Sequence, residues 1–444
     1  MNQMKNKSVF PLLMSMAFPP MISMLIQSLY NVIDSIFVAQ LGEDALTAIS
    51  LIYPLQNFSL AVSCGIGIGI NALIARYLGA NDDIKASYIA SQGMLMSILH
   101  SLVFVVIGLF LIEPFLCLFT SQQSVITYGM QYGVIVITLT FGSFIHLAIE
   151  KMFQACGNML IPMIMQIVGA VVNIVLDPIL IFGYFGLPAL GVLGAALATI
   201  IGQMSACLLS MILFHRYNSH IHLNLKQHID LLTFQNIYSI AIPSCVMMCL
   251  PSILISILNM ILSISSQTAV AFFGIYYKLQ TFVYMPSNEV IQGMRPILSF
   301  NYGANEKIRM SQTIKMATLT IGLILLCGTI LFCIFTKEIL SLFNANETML
   351  EIGVSGLRIL SLGFVLSTVG IVMSGVFEAI GQGKYSLFIS LSRQFIIIVP
   401  LSYFLISHIG LIGVWMTFPL SELVASLVSL YLFKTVYKKC IATS

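Results

Sequence analysis

The sequence predicts an all-α integral membrane protein with twelve transmembrane helices, arranged as two parallel, pseudo-symmetric six-helix bundles around a central cleft. Three observations predict it. Hydrophobic residues make up 59% of the 444 and charged residues only 8%, so little of the chain can face water. Apolar windows of about twenty residues, long enough to cross a bilayer, recur from end to end. The chain also repeats itself at a fixed offset.

The windows fall near 9–38, 45–75, 88–112, 125–149, 160–183, 190–214, 236–264, 269–300, 312–335, 350–375, 386–406 and 411–433. The first follows Lys5 and Lys7, runs for nearly thirty residues and has no small-residue cleavage site, which marks a retained helix rather than a signal peptide. Charge tests the count. With a cytoplasmic N-terminus, the inside segments hold Lys5, Lys7, Arg76, Lys85, Lys151, Arg216, Lys226, Lys307, Arg309, Lys384, Lys434, Lys438 and Lys439, and the outside loops hold only Lys337. One missed span would invert everything after it, so this asymmetry supports twelve helices with both termini cytoplasmic. The nine cysteines form no CxxC pair and read as small apolar packing residues.

Shifting the chain by 224 positions aligns "YLGAND" (77–82) with "NYGANE" (301–306) and "FQACGN" (153–158) with "FEAIGQ" (377–382). The same shift pairs Pro19 with Pro243, Gln56 with Gln280, Gly69 with Gly293, Phe119 with Phe343 and Gly129 with Gly353; after a small deletion "GVLGAA" (191–196) meets "GLIGVW" (410–415). The expected domains are therefore 1–214, a cytoplasmic linker 215–235, and 236–444. An even number of helices returns the chain to its starting side, so both units share one orientation and their symmetry axis runs along the membrane normal. Two such bundles facing a cleft suit a transporter that opens to each side in turn. The linker holds His215, His220, His222 and His228, but without acidic or cysteine partners at ligand spacing it reads as a solvated segment.

The charges that remain inside apolar windows carry the functional argument. A carboxylate at mid-bilayer costs about 2.5 to 3.5 kcal/mol on insertion scales, so it must face a cavity or carry a proton. Asp177 lies one helical turn after Asn173 and directly before Pro178, which cannot donate to the carbonyl of Ile174. An acid, an amide and a freed carbonyl make either an oxygen site for a hard cation or a proton site. In the first helix Tyr30, Asn31 and Asp34 share a face, and Pro19 and Pro20 are expected to bend the helix below them. The second half is not a copy: Leu258 stands at the position of Asp34, and Asp177 falls among Ile397 to Leu401. It carries instead Lys278, Glu289, Arg295, Glu378 and Arg393. Glu289 is the candidate cavity acid for a cationic substrate. Glu378 reads as a rim or packing residue, as do Glu150 and Lys151. Arg393 either neutralises an acid in the cleft or snorkels to the inner interface. Around Glu289, the run Tyr276, Tyr277, Phe282, Tyr284, Met285 is the expected permissive lining, with Arg295 beyond it.

The motifs "YNVIDSIFVAQLG", "NIVLDPILIFG", "GVLGAALAT" and "QGMRPILSFNYGA", set in repeated six-helix halves, resemble the multidrug and toxic compound extrusion (MATE) family, nearest its bacterial DinF/MepA-like branches. The resemblance covers essentially the whole chain. It implies a secondary antiporter, not an enzyme, that exports amphipathic, often cationic organic compounds across the cell membrane in exchange for protons or sodium ions. It also implies that Asp34, Asn173 and Asp177 cluster as the coupling site, with Tyr30 and Asn31 beside Asp34 and Thr199 of "GAALAT" as a further member; a sodium ion would sit at Asp34, Asn173 and Asp177. Two close carboxylates raise each other's proton affinity, which suits a proton trigger. The alternative within the wider superfamily is a lipid-linked oligosaccharide flippase, for which a more cationic cavity is expected. No cofactor, nucleic acid or obligate protein partner is implied beyond the organic substrate and the bilayer. No GxxxxGK[ST] loop appears, so ATP is not expected as the energy source. His100 and His146 stand on separate helices, which argues against a membrane hydrolase.

Overall fold

A computed structural model describes residues 2–217, 220–226, 228–343 and 346–436. Lys438 and Lys439, counted above among the cytoplasmic charges, lie outside these residues. All regular elements among them are helical. The long helices are α1 (Val9–Ala39), α2 (Glu43–Gly79), α3 (Asp83–Phe110), α4 (Gln123–Thr138 continued by Phe141–Ala155), α5 (Leu160–Phe182), α6 (Val192–Tyr217), α7 (Leu231–Ser263), α8 (Gln267–Gly303), α9 (Lys307–Ile334), α10 (Glu347–Ala379), α11 (Gly383–His408) and α12 (Leu411–Val436). Each coincides with one of the twelve apolar windows. Ten are long and apolar enough to cross a membrane outright, and α4 becomes the eleventh when its halves, bent by 41°, are taken as one span. The remaining helix is α8, whose 37 residues include Lys278, Glu289 and Arg295.

Interruptions follow from local chemistry. The α-helix of α1 continues through Pro19 and Pro20, and the Ser23 hydroxyl donates to the Pro19 carbonyl at 3.3 Å. In α11 the turns from Ser392 to Ile398 are π-helical. Pro400 has no N–H for the carbonyl four residues back, and a wider turn just before it absorbs that missing bond.

The repeat is visible in the backbone. Gly79 ends α2 and Gly303 ends α8 (303 − 79 = 224), and α3 and α9 each run 28 residues from Asp83 and Lys307 (307 − 83 = 224). Short helices follow both, Ile112–Cys117 and Thr336–Ser341, again 224 apart (336 − 112). In the turns before α3 and α9, Asn81 and Asn305 adopt the left-handed conformation at φ 57° and 58°. Asparagine tolerates this backbone better than most side chains, which explains why "GAN" recurs there.

The chain forms two compact units that depart from the sequence halves at their edges. One comprises Pro19–Cys245, so it includes the first half of α7; the other comprises Asn2–Phe18 with Val246–Ser444, so it includes the start of α1. Glycines permit both arrangements. In the first unit, a β-carbon on Gly65 would fall 2.6 Å from the carbonyl of Ala241, and one on Gly69 would fall 2.8 Å from that of Ile237, so the backbones of α2 and α7 touch. In the second, Gly293, the repeat partner of Gly69, lies equally close to Met16 and Ala17 of α1. The second unit also encloses an aromatic core of Trp415, Phe272, Phe273, Tyr276, Phe364 and Phe418.

The linker is mostly exposed, as its composition predicts, and is anchored to the first unit at a few points. Ser87, Ser91 and Gln92 of α3 hold it: the Ser91 hydroxyl accepts from Asn224 N–H, and the Gln92 amide donates to the His228 carbonyl at 2.7 Å while accepting from Asp230 N–H at 3.0 Å. Asp230 in turn accepts from Leu232 N–H and the Thr233 hydroxyl in the first turn of α7; the Thr233 hydroxyl foremost holds its carboxyl below the usual carboxylate range.

Candidate functional site

The first unit brings α1, α2, α4, α5 and α6 to one buried polar cluster. Asp177 of α5 is fully buried and Asn173 nearly so, one turn apart as their spacing requires. Asp34 of α1 lies within electrostatic range of Asp177. The Asn173 amide donates toward the Thr199 hydroxyl at 3.5 Å, and Thr199 donates to the Ala195 carbonyl at 3.0 Å. The Tyr30 hydroxyl lies within electrostatic range of Asp34 and Asp177. Asn31, although it shares a helical spacing with Asp34, is exposed.

Close helix packing makes the cluster possible. A β-carbon on Gly202 would stand 2.7 Å from the Gly169 carbonyl and 3.0 Å from the β-carbon of Asn173, so α5 and α6 meet backbone to backbone at the level of the amide. Higher up, Gly194 lies against the carbonyl of Leu180. Within this tight frame, Oδ1 of Asp34, both carboxyl oxygens of Asp177 and Oδ1 of Asn173 are buried without a hydrogen-bond donor. Buried acceptors normally find donors, so a group of four that does not is a candidate site for a cation or a proton. Among the described residues no group of three or more His, Cys, Asp or Glu side chains could hold a metal ion. A cation here would use two carboxyls and neutral oxygens instead. Tyr132 of α4, which the sequence reading did not single out, completes the cluster: its hydroxyl accepts from Gln56 at 3.3 Å and lies in electrostatic range of Asp34 and Asp177.

In the second unit the α8 residues separate. Glu289 is buried and accepts from Gln292 at 2.8 Å. Arg295 turns away from it toward α10, bringing Nε 2.7 Å from Oε2 of Glu378, an ion pair off the line a hydrogen bond requires. Tyr284 shares a hydrogen bond of 2.8 Å with Ser367, and Met285 is buried. Arg393 is paired with Glu422 of α12, Nη1 lying 3.4 Å from each carboxyl oxygen. Glu422 was missed in the sequence, although a lone acid in the middle of an apolar span is the same signal that picked out Asp177.

Glu150 and Lys151 are not at a solvated rim. Both are buried in α4, where one Glu150 oxygen accepts from Lys151 and Gln154 at 2.9 Å each and the other accepts from Gln166 at 2.7 Å. Lys151 therefore does not belong with the cytoplasmic loop charges.

The sequence model of the MatE family matches the chain twice, at residues 19–179 and 243–404, with starts 224 apart (243 − 19). Multidrug export protein MepA of Staphylococcus haemolyticus is 28% identical over 431 residues, 96% of this chain and 94% of that protein; MepA of Staphylococcus aureus strain MRSA252 is 26% identical over 426 residues, 95% and 93%. Among solved structures, the outward-facing conformation of a multidrug resistance MATE family transporter superposes with a TM-score of 0.90 at 22% identity, covering all of this chain and 98% of the other. A MOP superfamily transporter from Pyrococcus furiosus superposes at 0.88 with 23% identity, covering 98% and 97%. Two matches to one family model over most of the chain, on a fold of two repeated helical halves, establish that this multi-pass membrane protein belongs to the MATE family of transporters.

Proposed function

We propose that the protein is a multidrug efflux antiporter of the cell membrane, exporting amphipathic organic compounds in exchange for an inward-moving proton or sodium ion bound at Asp34, Asn173 and Asp177. The observation that carries this reading is the set of four donorless buried oxygens on three side chains from two helices. Such a set is a poor structural device, because each unpartnered acceptor costs about 1 to 3 kcal/mol. It suits a cation that comes and goes. Tyr30, Thr199 and Tyr132 supply neutral oxygens around it, and α1 carries Asp34 on the same helix whose start belongs to the other unit. Neutralising the carboxyls thus acts on a helix shared by both units. Glu289, Tyr284, Met285 and Arg295 are assigned to the organic substrate's side of the cycle, and both termini to the cytoplasm. The names of the MepA relatives support drug export as the task.

The test is efflux of a fluorescent organic cation from proteoliposomes under an imposed proton gradient and, separately, a sodium gradient. Wild type should respond to one of them, and Asp34→Asn and Asp177→Asn should abolish the response. Gradient-driven efflux that survives both substitutions overturns the assignment.

A further inference from the structure

The second unit contains a charge pair that the coupling cluster does not use. Arg393 sits on the π-helical turn of α11 and faces Glu422 on α12. A single nitrogen, Nη1, is shared between both carboxyl oxygens at 3.4 Å, rather than two parallel hydrogen bonds running from the fork. The guanidinium thus keeps most of its planar donor edge for something else. Its side chain is 24% exposed, against 11% for Glu422. A guanidinium against lipid is costly, so the exposed part of this one is read as facing the interior of the bundle. The hydroxyls of Tyr276, Tyr277 and Tyr284 all lie within electrostatic range of it. Tyr276 packs on Phe364 and Phe418, so the pair stands beside an aromatic wall.

We infer that Arg393 and Glu422, with the partly exposed Tyr277 and Tyr284, form a substrate subsite for zwitterionic aromatic compounds, the ligand's carboxylate on the free edge of Arg393 and its cationic end toward Glu422. The charge arithmetic decides between ligand types. Glu422 and Arg393 together are neutral, so a lone cation or a lone anion gains from one partner what it loses to the other. A ligand carrying both charges satisfies both, and in a poorly solvating cavity each contact is strengthened. The π-helical turn is what aims Arg393: widening the helix before Pro400 changes the angle at which residue 393 leaves it. This rests on the transporter reading but not on where the coupling ion binds.

The test uses a xanthene dye with a free carboxylate and its methyl ester, which share one cationic aromatic body. Binding of each to the purified full chain is followed by fluorescence polarization, without any ion gradient. Wild type should prefer the zwitterion, and Arg393→Gln should lower the ratio of the two affinities about tenfold, the size expected when a charge-assisted contact is lost. Because Arg393→Gln leaves Glu422 without its counter-ion and can impair folding, the paired variant Arg393→Gln with Glu422→Gln is measured as well. It should lose the same preference while keeping the neutral balance. A preference unchanged in the folded variants, or a wild type that binds the ester as tightly as the zwitterion, overturns this inference alone. A wild type that binds neither dye overturns the inference too, while the transporter reading stands or falls separately on gradient-driven efflux from the proteoliposomes.

Discussion

The stem of Lys151 lies across Gly67: a β-carbon at position 67 would fall 2.6 Å from Lys151 Cγ. The middle glycine of "GIGIGI" in α2 is therefore fixed by a side chain, whereas Gly65 and Gly69 on either side are fixed by the α7 backbone. Gly67→Ala should displace Lys151 from Glu150 and lower stability by about 1 to 3 kcal/mol, the usual cost of overpacking. Thermal unfolding in detergent measures it, and an unchanged midpoint would show that the lysine stem yields freely.

The network around Glu150 predicts an asymmetry between single and paired changes. Lys151→Met leaves a buried carboxylate with amide donors only, and removing one partner of a buried pair costs about 3 to 5 kcal/mol. Combining it with Glu150→Gln removes the stranded charge and should recover most of the loss. If the paired variant unfolds as early as the single one, the pair contributes through packing and not through charge.

The opposite outcome is expected at Asp177. Its two oxygens, Oδ1 of Asp34 and Oδ1 of Asn173 have no donors, so Asp177→Asn introduces a donor where acceptors crowd. Its unfolding midpoint should equal or exceed that of wild type even though coupled transport is lost. A lower midpoint would make this carboxylate a structural element.

Packing at Gly202 ties the cluster to its frame. Gly202→Ala drives a methyl group against the Gly169 carbonyl and the Asn173 stem, so α5 and α6 must part. Gradient-driven efflux should drop sharply in this variant although every polar residue of the cluster is intact. Normal efflux would show that the cluster tolerates a looser frame.

At the linker, the carboxyl of Asp230 is held below its ordinary range by the Thr233 hydroxyl and Leu232 N–H. A depressed acid contributes fully above its unfolded value, about 3.9, and the contribution disappears as pH falls through the lower folded value. Amide exchange at Leu232, corrected for its intrinsic rate, should stay protected at neutral pH and accelerate only under strongly acidic conditions. Asp230→Asn should flatten that pH dependence.

How much could be read from the chain depended on whether a feature was local. The twelve helices were legible because each apolar window stands alone, and even α8, the least apolar of them, was read from its own window, 269–300. Asn173 and Asp177 were legible because one helical turn separates them. The placement of Tyr132 and Asn31 was not, since a shared spacing says which face a residue occupies but not what packs there. Arg295 illustrates the same limit: its partner proved to be Glu378, 83 residues away in sequence (378 − 295), and no periodicity joins α8 to α10. The exchange of the starts of α1 and α7 between the units was hidden for the same reason, because it depends on backbone contact at Gly65, Gly69 and Gly293 rather than on any hydrophobic pattern.

The repeat also supplies an internal control. Leu258 occupies the place of Asp34 (34 + 224 = 258) and is completely buried in the second unit. The duplicated scaffold has thus already been built once with a hydrocarbon side chain at that point, inside the same polypeptide and the same membrane. A hydrocarbon fills that place in the second copy, so the carboxylate in the first copy is not something the repeated fold itself demands.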